Sequence, residues 1–307
     1  MKALITGAGG FVGPHLARDL EADGADVTGL DLRNGPDLLD AAGWRQTIEE
    51  KRPDVVFHLA GWSDVGGSWH RPVETFRINA LGTLSVIEAA VAAKTERVVL
   101  ISSADVYGPV PAPEQPITEA HRPAPHSPYG VSKEAAEALA FRAHRAQELD
   151  VVIVRPFNHI GPGQSPRFVA PAFAMQIAAA EHTGGGAILH GDLSARRDMT
   201  DVRDVVRAYR LLARHGDPGE IYNVCGGHAI AMADLLDGLI EQATVPVTTS
   251  VDPSRLRPVE LPVLEGSHAK LTKATGWEPE IPLRQTLSDI LDDARDRWAA
   301  ETAHPTN

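Results

Sequence analysis

Tyr129 and Lys133 stand four residues apart, a spacing that puts both side chains on one face of a helix. An ammonium beside a phenol favours the phenolate and draws a pKa near 10 down toward the working range. Such a tyrosine can give a proton to a carbonyl oxygen as a hydride reaches the carbon, or take one in the reverse direction. A hydride donor is therefore the next thing to look for.

The N-terminus offers a place to hold one. Gly7-Ala8-Gly9-Gly10-Phe11-Val12-Gly13 follows an apolar run, Lys2 to Thr6, and precedes a helical pattern, Phe11 to Asp23. Glycines at 7, 10 and 13 permit a tight turn whose backbone N–H groups approach a pyrophosphate. Asp31 closes the next apolar run, about twenty residues beyond Gly10, where a carboxylate accepts from both adenosine ribose hydroxyls and repels a 2′-phosphate. The expected cofactor is NAD(H) or NADP(H). Asp31 slightly favours NAD(H), and Arg33 leaves NADP(H) open.

These groups need a scaffold. Strand patterns at Asp26–Asp31, Asp54–Ala60, Arg97–Ser102 and Asp150–Arg155 alternate with helical ones at Asn79–Ala93 and Pro128–Glu148. That alternation predicts an α/β fold with a doubly wound parallel sheet of Rossmann type. Arg33-Asn34-Gly35-Pro36 leaves no room for a helix between Asp31 and Asp37. The Pro/Gly-rich passage Gly161–Pro171 divides the chain into a dinucleotide-binding domain, residues 1–160, and residues 161–307, mainly a smaller α/β substrate lobe. Residues 219–226 are expected back in the main sheet, a lobe helix spans about Pro171 to Glu181, and the polar tail Glu301–Asn307 is expected to be unordered.

Composition narrows the class. The chain has 307 residues, 43% hydrophobic and 23% charged, with net charge −12, as expected of a globular protein that does not bind nucleic acid. One cysteine, Cys225, fits a reducing compartment. The opening Met-Lys-Ala-Leu-Ile-Thr-Gly is too short for a signal peptide, and no apolar run approaches the roughly 20 residues of a membrane span. A cytoplasmic protein without membrane contact is expected. The 13 histidines show no metal-ligand spacing, so no metal is expected, and His58 reads as a satisfied core residue. An anionic substrate would have to be met by local arginines, for which Arg155, Arg196, Arg197, Arg203, Arg255 and Arg257 are candidates.

The glycine turn, the Tyr129-x-x-x-Lys133 pair and Arg155-Pro-Phe-Asn158-His-Ile-Gly-Pro-Gly-Gln164 together resemble the extended short-chain dehydrogenase/reductases that act on nucleotide-activated sugars. The resemblance runs from Met1 to about Trp298. It implies that Ser103 is the catalytic hydroxyl that holds the substrate oxygen against Tyr129, with Ser102 structural. Phe11 and Val12 complete the cofactor turn, Asp37 and Leu38 meet the adenine, and Leu59, Ala60 and Gly61 run along the pyrophosphate and ribose. Asn79 is implied to support the fold. Ser63, Val65 and Ser68 match positions lining the hexose. Asn158, Arg197 and Arg257 match diphosphate ligands, Phe168 and Val169 pack on the nucleotide base, and Glu260 takes the nucleotide ribose. Arg257-Pro-Val-Glu260 with Gly266-Ser-His-Ala-Lys270 and Thr275-Gly-Trp-Glu-Pro279 points to a GDP-linked sugar.

Position 105 separates the chemistries within the resemblance. Sugar 4,6-dehydratases carry Glu there as the base for the C5 proton, and epimerase/reductases carry Cys. This chain has Asp105, after Ala104, which is read as a polar wall of a ketoreductase pocket. The implied reaction is NAD(P)H-dependent reduction of the C4 ketone of a nucleotide-linked 4-keto-6-deoxyhexose, GDP-4-keto-6-deoxy-D-mannose to GDP-D-rhamnose. The alternatives are a 4,6-dehydratase or 4-epimerase with tightly bound NAD and, more remotely, a non-catalytic NAD(P)-sensing protein. The resemblance also implies a homodimer packed through the small apolar faces of two helices: Ala80, Ala89, Ala90, Ala135, Ala136 and Ala140.

Overall fold

The computed structural model describes residues 1–256 and 261–303. Its N-terminal half is built on β1 (Lys2–Thr6), α1 (Gly13–Ala22), β2 (Asp26–Leu30), α2 (Ala41–Lys51) and β3 (Val55–His58). A short α3 (Val65–Ser68) leads to α4 (Pro72–Phe76), a π-helical turn at Arg77–Leu81, and α5 (Gly82–Ala93). Then come β4 (Arg97–Ile101), α6 (Pro128–Gln147) and β5 (Asp150–Pro156). Residues of β1, β3, β4 and β5 are apolar on both faces, as a sheet covered on both sides requires.

The sheet is parallel, in the order β2-β1-β3-β4-β5-β9. Its sixth strand, β9 (Ile221–Val224), comes from far along the chain. The chain winds one way from β1 to β2 and the other way through β3, so the crevice for a ligand opens above the ends of β1 and β3. The abbreviated stretch after Asp31 is a turn, closed by Asn34 Oδ1 accepting from the Asp31 amide at 2.8 Å. The chain then enters α2, not anticipated from the sequence, whose N-cap Asp40 accepts from Gly43 N–H at 2.9 Å.

The second lobe holds β6 (Asn158–Ile160), α7 (Val169–Thr183), β7 (Gly186–His190) and β8 (Arg196–Asp201). After α8 (Val202–His215) and β9 come β10 (Ala229–Ala231), α9 (Met232–Ile240), β11 (Val247–Val251), β12 (Val263–Leu264), α10 (Ala269–Thr275) and α11 (Leu283–Ala303). Strand β8 centres a small sheet, pairing with β10, β12 and β6, and α7, α9 and α11 close a separate apolar core.

More of the chain returns to the first domain than residues 219–226. Val205, Val206, Tyr209 and Leu212, spaced three and four apart on α8, and Leu271 and Trp277 near α10 all join the core beneath β1 and β5. The boundary at 161 is thus crossed back at Val202, because an amphipathic helix buries its stripe wherever an apolar sheet face lies open. Of the tail expected to be unordered, Glu301 belongs to α11, and residues 304–307 lie outside the described residues.

The helical run Pro72–Ala93 is, by length and composition alone, apolar enough to cross a membrane, contrary to the expectation that no run is. Glu74, Arg77 and Glu88 interrupt it, and Val86, Ile87, Ala89 and Ala90 are buried against the sheet. Of the six alanines expected to form a dimer face, Ala80, Ala89, Ala90, Ala136 and Ala140 are buried within the chain itself. The exposed apolar residues nearby are Val73, Phe76, Leu81 and Val131.

Candidate active site

Strand β4 ends at Ile101, and Ser103 caps a single helical turn, Ala104–Tyr107. Ser103 Oγ accepts from the Asp105 amide at 3.1 Å and donates to Asp105 Oδ2 at 2.9 Å. Helix α6 starts beside it: Ser127 Oγ accepts from Gly130 N–H at 3.0 Å and Pro128 occupies the first turn. Tyr129 therefore sits at the mouth of the helix and Lys133 one turn in. The main chains of Asp105 and Gly130 touch so closely that a Cβ on Gly130 would lie 2.7 Å from Asp105 O.

Below these groups runs a buried polar scaffold. Ser102 Oγ donates to Glu137 Oε1 at 2.5 Å, Glu137 pairs with Arg155 at 2.6 Å, and the Arg155 guanidinium lies 4.7 Å from the Tyr107 ring centroid. Tyr107 in turn donates to Asn223 on β9 at 2.7 Å. The chain ties β4, α6, β5 and β9 together. Arg155, a candidate for meeting an anion, is corrected by this: it is 2% exposed and committed to Glu137. Removing either partner would strand a buried charge, at about 3–5 kcal/mol.

Lys133 Nζ donates to Ile101 O at 2.8 Å and lies 5.9 Å from the Tyr129 ring centroid. Burial lowers its pKa to about 8, with Glu137 opposing. The expected lowering of the Tyr129 pKa is not seen: burial and the neighbouring Asp105 hold it above the usual phenol range, with the nearby Ser103 hydroxyl pulling the other way. The ammonium is spent on the Ile101 carbonyl instead of the phenol oxygen. Asp105 is itself pushed up by burial, with Ser103 and Arg197 pulling the other way.

Gly7, at φ +73°, turns the chain where a Cβ would lie 2.8 Å from the Ala60 backbone, and a Cβ on Gly13 would lie 2.3 Å from Ala8 O. These close approaches leave the cradle that a dinucleotide pyrophosphate needs, so the residues present fit NAD(P)(H). Phe11 stacks on His159, centroids 5.9 Å apart, tying the turn to the second lobe. Asp31 is engaged by Arg33 through its guanidinium and, at 2.8 Å, its main-chain N–H. Both charges lie over Gly9, where a Cβ would come within 1.8 Å of Asp31 Oδ2. Leu59 and Ala60 donate their amides to Thr6 at 3.2 Å. Gly61 lies against Asn79, whose Nδ2 donates to Trp62 O and to Ser132 Oγ. Asp37 turns onto Leu39 N–H, and Leu38 packs on Gly82. His58 is a buried residue hydrogen-bonded to Thr6 and Thr83, its pKa lowered to about 3 by burial.

On the sugar side the structure redistributes the expected residues. Ser63 is exposed and Val65 lines a cavity beside Asp105. Ser68 is wholly buried, donating to Val65 O and accepting from Tyr129 N–H at 3.3 Å. It therefore positions the loop and does not line the hexose. Asn158 is exposed on β6, and Phe168 caps α7 ahead of Val169. Arg197 Nη1 donates to Arg196 O and Leu261 O at 2.8 and 2.7 Å. Arg196 is tied to Ala229 O, Arg203 to Asp201 and Asp289, and Arg255 to Asp252. Arg257 and Glu260 lie outside the described residues. Of the residues lining the cavity beside Asp105, only Val65 and Asp105 are site candidates by sequence; Trp69, His126, Leu261 and Leu264 are among those that escape sequence reading. His126, three before Tyr129, carries a local signal; the two leucines arrive from a distant segment and carry none.

A model of the NAD dependent epimerase/dehydratase family matches residues 3–225. The chain belongs to this family. It is 40% identical over 302 residues to the GDP-6-deoxy-D-mannose reductase of Pseudomonas aeruginosa, covering 98% of this chain and 99% of that one. Among solved structures, RMD from Pseudomonas aeruginosa complexed with NADPH superposes with a TM-score of 0.89 at 38% identity, covering 96% of this chain and 99% of that one. UDP-glucose 4-epimerase from Thermus thermophilus, in complex with NAD, superposes at 0.85 with 30% identity, covering 96% and 99%.

Proposed function

We propose that this chain is an NAD(P)H-dependent reductase of nucleotide-linked 4-keto-6-deoxyhexoses, with GDP-4-keto-6-deoxy-D-mannose as substrate and GDP-D-rhamnose as product. The observation that carries this reading is the convergence of Ser103, Tyr129 and Lys133 at the sheet's ligand crevice. Similarity over nearly the full length to a GDP-6-deoxy-D-mannose reductase supports the choice of sugar. When bound, the nicotinamide supplies the hydride taken up by C4, leaving as NAD(P)⁺. Tyr129 gives its phenolic proton to O4 as the C–O double bond becomes single, so the product is the alcohol. A phenol held in its protonated form suits that direction. Lys133, hydrogen-bonded to Ile101 O and 5.9 Å from the Tyr129 ring centroid, favours the phenolate left behind through its charge across that distance and not by a hydrogen bond, and Ser103 donates to O4 once the substrate replaces Asp105 as its acceptor. Asn158, Arg197 and Arg257 are assigned to the diphosphate, Phe168, Val169 and Glu260 to the nucleoside.

Because Arg33 neutralises Asp31 at the ribose position, both NADH and NADPH are expected to serve. A second reading, 4,6-dehydration, draws on one observation: Asp105 is a buried carboxyl beside Ser103, held high by burial. Purified protein given GDP-4-keto-6-deoxymannose and NAD(P)H, with the product identified by NMR, tests the choice. Formation of the 4-keto sugar from GDP-mannose alone, abolished in Asp105→Asn, would transfer the assignment to the dehydratase.

The exposed strip Val73, Phe76, Leu81 and Val131 is assigned to a homodimer interface. Light scattering on the unmodified protein should give twice the 32.9 kDa chain mass, and Val131→Glu should give the monomer. A monomeric unmodified protein would refute this. The cytoplasm is the proposed location, where the buried thiol of Cys225 stays reduced; recovery in a membrane or secreted fraction would contradict it.

A further inference from the structure

We infer that the segment from Trp62 to Ser68 is a clamp on the main chain of Tyr129, and that Ser68 and Ser132 are positioning residues of the reaction, acting through that tyrosine. The inference rests on the reductase reading, in which Tyr129 is the acid. A helix leaves its first N–H groups without intrahelical partners. In α6 the cap at Ser127 satisfies Gly130 N–H, and Pro128 has no N–H to satisfy. The N–H of Tyr129 is left over.

Its acceptor comes from 61 residues earlier: Ser68 Oγ, at 3.3 Å, whose own proton goes to Val65 O at 2.6 Å. The carbonyl of the same tyrosine is engaged too. Ser132 Oγ donates to Tyr129 O at 2.7 Å and accepts from Asn79 Nδ2 at 2.8 Å. Asn79 in turn binds both main-chain groups of Trp62, accepting from its N–H at 2.7 Å and donating to its carbonyl at 3.1 Å. Each serine has one hydroxyl proton and both are committed, so every bond in the set has a fixed direction. Both polar main-chain groups of Tyr129 thus lead back to the two ends of one segment. Ser68 and Ser132 are wholly buried and Asn79 nearly so, where a lost bond is not made good by water.

The same segment touches both sides of the reaction. Gly61, just before it, stands against Asn79, where a Cβ would lie 2.8 Å from Oδ1. Val65, within it, and Trp69, just after it, line the cavity beside Asp105. The first turn of a helix is where a chain frays most easily; here that turn carries the acid and is fastened to the strand-to-helix segment that the cofactor turn leads into. Proton transfer needs the phenol within hydrogen-bond reach of O4, and misplacement by about 1 Å costs on the order of 10²-fold in rate.

The test is single-turnover reduction of GDP-4-keto-6-deoxymannose by bound NADPH, run on the dTDP- and UDP-linked sugars if the GDP sugar is not reduced. Ser68→Ala and Ser132→Ala should each lower the rate constant by roughly 10- to 100-fold, with the amplitude and the NADPH Kd unchanged. A merely structural loss would instead lower the amplitude, as the folded fraction falls, and leave the rate constant alone. Ser132→Ala covers the case in which Ser68→Ala fails to fold, alanine being the best helix former. A second readout needs no turnover. The chain has 4 tyrosines, so nitrogen-isotope labelling of tyrosine gives four amide signals, and Tyr129→Phe identifies the one at 129. In Ser68→Ala that signal should move and exchange faster with solvent while the other three stay in place. Rate constants near that of the unmodified protein in the variants that fold, or a Tyr129 signal that Ser68→Ala leaves in place, overturn the inference and leave the reductase reading standing. If Tyr129→Phe keeps full turnover, or no nucleotide-linked 4-keto sugar is reduced, the reading falls and the inference falls with it.

Discussion

The two walls of the cleft are built by opposite means. The cofactor wall is made of backbone pressed on backbone: Gly7 on Ala60 and Gly13 on Ala8, all within the first 61 residues. The wall proposed to face the sugar is made of side chains from segments far apart in sequence: Val65 and Trp69, the turn after Ser103, His126, and Leu261 with Leu264. Backbone contacts leave nothing to vary, since any added atom collides. Side-chain walls can be changed one residue at a time. The difference accounts for a family whose members superpose closely while being named for different nucleotide sugars.

The comparison is broken most sharply by two variants with opposite signatures. Tyr129→Phe should lower kcat by about 10²–10⁴-fold, the usual contribution of a positioned acid, and leave the NADPH Kd unchanged. Stopped-flow reduction and fluorescence titration separate the two quantities; near-normal kcat would remove Tyr129 from the chemistry. Gly13→Ala should do the reverse. Its methyl would meet Ala8 O at 2.3 Å, and the shift needed to relieve that contact distorts the turn. The NADPH Kd should rise by about 10–10²-fold, overpacking of this kind costing about 1–3 kcal/mol. At saturating cofactor, kcat should recover most of its value, and unchanged affinity would refute the cradle.

A smaller effect probes a place where charged side chains decide on the cofactor wall. Asp31 and Arg33 form an exposed ion pair over Gly9. Arg33→Ala should bare the carboxylate and raise NADH preference by roughly tenfold, and Asp31→Ala should shift preference toward NADPH by a similar factor, within the range of screened charge–charge contacts. The ratio of kcat/KM for the two cofactors measures it. If neither variant moves that ratio, the pair does not face the 2′ position.

This asymmetry also explains what could be read from the sequence. The glycine turn, Asp31 and Tyr129 with Lys133 were legible because each is a local pattern whose spacing matches a helix or a turn. Arg155 was misjudged because nothing local reveals that Glu137, 18 residues back, faces it from the adjoining helix. Ser68 was misplaced for a related reason: a serine reads the same whether its hydroxyl faces a ligand or, as here, the amide that opens α6. Leu261 and Leu264 could not be found at all, since their place in the cavity depends on β12 pairing with β8. That α8 and α10 return to the first domain could not be read either, because an amphipathic stripe states that a face is buried without saying against what.

A last test, read in stability and not in turnover, concerns the residue where the two walls meet. Lys133 Nζ lies 3.7 Å from where a Cβ on Gly61 would stand, one turn from Tyr129. Its pKa is lowered from 10.5 to about 8 by burial. Below pH 8 both folded and unfolded chains carry this proton, so the cost of burying the ammonium is fully present. Between 8 and 10.5 the unfolded chain holds more protons than the folded one, and stability contributed here rises with pH. Above 10.5 the cost is gone. Lys133→Met should therefore be more stable than the unmodified protein at pH 7, by about 1–3 kcal/mol, less than the full linkage because the Ile101 carbonyl loses its donor. That advantage should fade as pH climbs from 8 toward 10.5, while turnover stays low throughout. Denaturant unfolding at pH 7, 8.5 and 10 supplies the differences. A constant offset between the two proteins would mean that Lys133 is not a buried cation, and its role beside Tyr129 would have to rest on the hydrogen bond to Ile101 alone.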